Sequence, residues 1–128
     1  MSASFDVTGF EDFVARLQQM GRKGNTALNQ ALRAGAEPIA DAMRENVNVS
    51  SRNEVHVRDD ITIGRVQTNQ DGIKSISIGP SAKTAWRAKF LEFGTSKMTA
   101  KPFIQPAIDD ERGEAFEKMA DVMRGALD

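Results

Sequence analysis

The stretch ITIGRVQTNQDGIKSISIGP, residues 61 to 80, alternates apolar and polar residues on either side of a turn-forming tetrapeptide. Ile61, Ile63 and Val66 fall on one arm and Ile73, Ile76 and Ile78 on the other, so each arm reads as a strand with one apolar face. Gly64 interrupts the alternation of the first arm, which predicts a bulge or a close backbone approach at that point. Between the arms, Asn69 to Gly72 reads NQDG, residue types that tolerate the positive backbone angles of hairpin loops. An antiparallel hairpin follows, and its apolar face needs a second layer.

The segments upstream supply that layer. Phe5 and Val7 alternate with polar neighbours in SFDVT, residues 4 to 8, as a short strand does. Phe10, Phe13, Leu17 and Met20 then recur at helical spacing up to Gly21, predicting a short amphipathic helix. In the RKGN linker Asn25 is the expected cap of the next helix. From there Leu28, Leu32, Gly35, Ile39, Met43 and Val47 form an apolar stripe along a helix of about 22 residues, about 33 Å long. Pro38 lies inside it and, lacking an N–H, predicts a kink near residues 35 to 38. Residues 48 to 58 read as an exposed loop, with Val55 and Val57 alternating before Asp59 and Asp60.

Downstream, Thr84 to Phe93 suits a short helix carrying Trp86, Phe90, Leu91 and Phe93, and Trp86 is expected to anchor the core. A loop follows Gly94, Pro102 and Phe103 read as extended, and Pro106 suits the first turn of a final helix. Asp109, Asp110 and Glu111 favour that helix's positive end. Ile108, Ala115, Phe116, Met119, Met123 and Leu127 share one of its faces. The fold class is therefore α+β: a small antiparallel sheet with a β-hairpin, covered by two N-terminal helices and a long C-terminal helix. Residues 1–128 are expected to form a single domain, since no repeat, low-complexity tract or long linker divides them.

Composition narrows the function. With 40% hydrophobic and 27% charged residues the chain has the makeup of a packed globular protein. Its net charge of -1 lacks the basic excess that draws a protein onto phosphate backbones. It has no cysteine, which excludes a disulfide framework, and no apolar run approaching the roughly 20 residues of a membrane helix. No secretory leader pattern opens it, so synthesis in the cytoplasm is expected.

Catalytic constellations are equally scarce. His56 is the single imidazole and stands between two valines. Asp59 and Asp60, as neighbours on a strand, would point to opposite faces and read as a solvated turn. No GxxxxGK[ST] or GxGxxG pattern occurs, and neither Ser50 nor Ser51 can be tied to a base. No cofactor and no enzymatic activity are expected. One charge asymmetry stands out: Lys83, Arg87, Lys89, Lys97 and Lys101 face Glu92 alone, a local excess of four positive charges.

That asymmetry overlaps the most constrained local sequence, FLEFGTSKMTAKPFIQPA, residues 90 to 107. Gly94 permits backbone angles closed to other residues, so a chain reversal between Phe93 and Thr95 is expected. Pro102 and Pro106 stiffen the exit and reduce the entropy lost on ordering it. Glu92, near Lys89, Lys97 and Lys101, is placed to form an ion pair.

The succession Phe90, Leu91, Glu92, Phe93, Gly94, Thr95, then Lys97, Met98, Ala100, Pro102, Phe103, Pro106 and Ala107 resembles a signature of the head-tail joining or tail-completion (neck) proteins of lambda-like long-tailed bacteriophages. That family is typified by the tenth gene product of phage HK97. The similarity extends in weaker form to the N-terminal helix, to Ala34, Gly35, Ala36 and Ile39 of the long helix, and to Asp60-Ile61 opening a strand. This chain departs from the family where SSRNEVHVRDDI replaces a Pro and a Thr-Gly-x-Leu type turn.

The resemblance implies a structural virion assembly protein that works by subunit contacts. Its candidate interface is Phe90, Glu92, Phe93, Gly94, Thr95, Lys97, Met98, Lys101, Pro102, Phe103 and Pro106. The implied partners are other neck and tail proteins, a connector or stopper and a tail terminator or tube. A homo-oligomeric ring in the virion is also implied, with the isolated chain a monomer or weakly associated. DNA would make at most passing contact, no membrane would be involved, and the protein would pass from the bacterial host cytoplasm into the virion. Competing readings are a tail terminator or minor tail protein of the same virion, a nucleic-acid-binding module using the Lys83 to Lys101 patch, and a hydrolase or transferase.

Overall fold

The computed structural model describes residues 2–47 and 57–128. Readings that fall on residues 48 to 56, including His56, lie outside the described residues. Among those described, the chain forms strands β1 (Ala3–Asp6), β2 (Ile61–Ile63), β3 (Gln67–Thr68) and β4 (Lys74–Pro80) and helices α1 (Glu11–Gln18), α2 (Arg22–Asn46), α3 (Ala85–Phe93) and α4 (Ile104–Leu127). The architecture is the expected α+β one.

The hairpin organises the sheet. β4 is central and antiparallel to all its neighbours, with β1 along one side and β2 and β3 along the other. Between the Ile63↔Ile78 and Gln67↔Ser75 pairs, three residues of one arm face two of the other, which is the bulge expected at Gly64. The Gly64 N–H donates to the Ser77 carbonyl at 2.8 Å. Asn69 closes the turn: its side-chain oxygen accepts from the N–H groups of Asp71 and Ile73, both at 2.9 Å, while Gly72 takes a φ of 80°. Ile73 therefore belongs to the turn and is exposed, one residue outside the return strand.

Register sorts the two faces of the sheet. Ala3 and Phe5 stand opposite Ile78 and Ile76, and Ile63 also pairs with Ile78, so the apolar members share one face. Ser4, Thr62 and Ser77 lie on the other, which is polar and exposed. Helix α2 covers the apolar face and α4 packs against α2. The middle position of α2 accounts for the breadth of its buried surface, from Ala27 and Leu28 through Ala31, Leu32 and Ala36 to Met43. Two hydrogen bonds tie it to the sheet, from Arg44 to the Ile61 carbonyl at 2.9 Å and from Lys74 to the Asn29 side chain at 3.2 Å.

Three local expectations are corrected. Helix α2 starts at Arg22, with Gly21 in the cap position, so Asn25 lies inside the first turn and caps nothing. The cause is the tight α1–α2 corner: a Cβ on Gly24 would stand 1.6 Å from the Leu17 carbonyl oxygen, and only glycine allows the helix to begin so close. Met20 and Phe116, assigned to apolar faces by spacing, are exposed: α1 ends at Gln18 and Met20 lies in the turn beyond it, while Phe116 sits at the edge of its helix face. Val57, read as part of an exposed loop, is buried. Helix α2 is continuous through Pro38.

Candidate functional site

Two carboxylates hold α3 in place, one at each end. At the start, Asp60 Oδ2 accepts hydrogen bonds from the Ser81 hydroxyl at 2.6 Å, the Thr84 hydroxyl at 2.7 Å and the Ser81 N–H at 3.1 Å. Thr84 is fully buried. The Ser81 hydroxyl, followed by Thr84 and the Ser81 N–H, holds the Asp60 carboxyl below its usual range against a smaller opposing effect of burial. Asp60 is thus a structural acceptor rather than half of a solvated turn, and it lies in a 3-10 turn, Arg58–Asp60, rather than on a strand.

At the far end of α3, Glu92 is buried. Its Oε1 accepts from the N–H groups of Phe103 and Ile104, both at 2.9 Å, and its Oε2 from Gln105 at 3.1 Å. Every α-helix leaves its first four N–H groups without an intrahelical acceptor. In α4 these belong to Phe103, Ile104, Gln105 and position 106, and the last is proline, which has none. Glu92 therefore satisfies all that α4 offers, with its negative charge at the positive end of the helix dipole. The expected ion pair with Lys89, Lys97 or Lys101 gives way to this arrangement. Sequence reasoning missed it, although a signal exists: Phe103, at the cap position, has no side-chain acceptor, so the acceptor must come from elsewhere.

Between α3 and α4 the chain reverses as expected. Gly94 takes a φ of 73°, and a Cβ there would meet the Met98 carbonyl oxygen and the Ala100 nitrogen, each at 2.8 Å. Thr95 and Met98 bond to each other through both backbone pairs, leaving Ser96 and Lys97 at the tip, and the Lys101 N–H returns to the Leu91 carbonyl at 2.7 Å. Phe103 then enters the core with no exposed surface.

The outward face of α3 is different in kind. Trp86, Phe90 and Phe93, spaced four and three residues apart, lie on one side of the helix and are 60%, 43% and 65% exposed. Trp86 and Phe90 meet edge to face with centroids 6.1 Å apart. Exposed Lys89 lies on the same side of the helix, and exposed Lys97, Met98 and Lys101 lie on the reversal that follows it. The expectation that Trp86 anchors the core is overturned. Helix α3 packs inward through Ala88, Leu91 and Glu92, and no layer of the described residues covers the opposite side.

The residues proposed from sequence thus divide. Glu92, Gly94, Phe103 and half-buried Pro106 build the scaffold, with Thr95 fastening the reversal, whereas Phe90, Phe93, Lys97, Met98, Lys101 and Pro102 are presented to solvent. Among the described residues no group of three or more His, Cys, Asp or Glu side chains could hold a metal ion, and no helix is long and apolar enough to cross a membrane.

Neither the curated proteins nor the solved structures contain a match to this chain. A family model, however, matches residues 11–94, from the first residue of α1 to the glycine that ends α3, and so includes Phe90 to Gly94 of the signature. On that match over most of its length, the chain belongs to the family described as "Bacteriophage HK97-gp10, putative tail-component".

Proposed function

We propose that residues 1–128 form one structural assembly domain of the phage neck or tail, acting in head-tail joining or tail completion through contacts with neighbouring subunits. Family membership supports the tail-component part of this reading. The observation that carries the rest is the row of Trp86, Phe90 and Phe93, exposed on a helix that is fixed at both ends. Exposed aromatic rings contribute little to the fold of the monomer, whereas burying each against a partner contributes roughly 1.5–3 kcal/mol. A helix held by Asp60 and Glu92 presents the rings with little entropy left to lose on docking. The partners are other neck and tail proteins, including further copies arranged as a ring, and the finished location is the virion.

The test is a null mutant of the phage complemented by variants. The null is expected to replicate DNA and fill heads while yielding unjoined or incomplete tails. Complementation by Trp86→Ala/Phe93→Ala should leave the same defect with a normally folded, normally abundant protein. Normal particles from the null strain would reject the reading.

A further inference from the structure

A second apolar feature lies on the opposite half of α4. Phe10 and Phe116 meet edge to face, centroids 5.7 Å apart, and wall an open cleft of 480 Å³ completed by Glu117, Ala120, Asp121 and Arg124. Along the solvent side of the same helix Asp110, Glu114, Glu117 and Asp121 recur at spacings of four, three and four, an acidic stripe opposite the buried face. Arg124, the cation in the cleft, is already shared with Asp121 at 3.4 Å. An aromatic-walled cleft with an acidic rim is the complement, in shape and sign, of an aromatic ridge with Lys89 on the same side of its helix.

We propose that the Trp86–Phe90 ridge of one copy of this chain seats in the Phe10–Phe116 cleft of the next, with Lys89 and Lys97 facing the acidic stripe. The two patches are separate: Glu92 fixes the ridge beside the first turn of α4, and Phe116 lies twelve residues beyond Ile104, about 18 Å along the helix. Where the ridge and the cleft of one copy engage two different neighbours, rather than both pairing with the same one, the contact is heterologous and repeats from copy to copy, closing into a ring or continuing as a fibre according to its rotation. Ridge against ridge, the isologous alternative, would set lysines against lysines. The inference deepens the neck-or-tail reading and rests on it for its setting, since the contact is made in the particle.

Sedimentation of the full chain tests the contact directly. At its highest soluble concentration and low salt, the wild type is expected to form species larger than a dimer. Trp86→Ala on the ridge and Glu117→Lys/Asp121→Lys in the cleft alter exposed positions, so each variant should keep its fold by circular dichroism while losing association by about thirtyfold or more. Mixed together, the two defective chains should form a one-to-one pair and nothing larger, because each retains one working patch. Lys89→Glu should weaken association, and adding Glu117→Lys to the same chain should restore it.

A wild type that stays monomeric, stops at a dimer, or associates equally well without Trp86 would overturn the proposal, as would a mixture that forms no pair. Purified particles separate this failure from that of the broader reading. A chain absent from particles refutes the neck-or-tail assignment. A chain present in particles whose cleft variant assembles normally refutes only the ridge-in-cleft contact and gives the ridge to a different tail protein.

Discussion

The two sides of α3 are nine residues long and differ in almost every physical respect. The inner side carries Ala88 and Glu92, both buried, and a carboxylate that supplies the first turn of another helix with acceptors. The outer side carries three aromatic rings in water and a lysine among them. One short motif is thus under two separable demands: half of FLEFGTSKMTAKPF sets the geometry, and half is displayed by it. Substitutions should divide along that line, unfolding the protein on one side and disabling only its contacts on the other.

The scaffold side is the more sensitive to substitution. Phe103 is completely buried at the point where α4 begins. Phe103→Ala should cost about 3–5 kcal/mol, the loss of its buried area together with the cavity left behind. Urea unfolding measures this, and a change of less than about 1 kcal/mol would remove Phe103 from the scaffold.

Next comes the charge on Glu92. Glu92→Gln keeps the shape and one carbonyl acceptor, but sets an amide donor against the N–H groups of the α4 first turn. A loss of about 1.5–3 kcal/mol is expected, with amide exchange accelerating first at Phe103 to Gln105. Unaltered exchange at those amides would mean that the cap contributes nothing.

The division itself was only half legible in the sequence. Local signals worked where the cause was local: the NQDG turn, the Gly64 bulge and the Gly94 reversal each depend on backbone preferences of a few residues. The stripe of α2 was visible because a helix packed on two sides must be apolar over a wide arc. Periodicity states which residues share a face and is silent on whether another layer covers that face. Trp86 was therefore misassigned to the core and Met20 and Phe116 to apolar faces where they are exposed, and Asn25 was given a cap that the α1–α2 corner leaves no room to use. The Asp60–Ser81–Thr84 and Glu92–α4 contacts join residues 11 to 24 positions apart, beyond any reading of neighbouring types.

The outer side offers the reverse test. Phe93→Ala removes a ring that is 65% exposed and should shift unfolding by no more than about 0.5 kcal/mol, while particle assembly fails. A destabilisation as large as that of Phe103→Ala would mean that the outer side also serves the fold and would dissolve the distinction.

Acid acts on the opposite end of α3. Asp60 holds the start of α3 as Glu92 holds its end, and its carboxyl is depressed below the ordinary value of 3.8 chiefly by the Ser81 hydroxyl. A carboxyl whose folded pKa is depressed contributes stability above its unfolded pKa, and that contribution is lost as pH falls through the folded pKa. Wild type and Asp60→Asn should therefore converge in urea stability from below pH 3.8 downward, while differing by a constant amount at neutral pH. Other carboxyls titrate in the same range, so the informative quantity is the difference between the two chains. Parallel curves through the whole acid range would show that the Ser81 and Thr84 hydroxyls hold the neutral acid as well as the carboxylate.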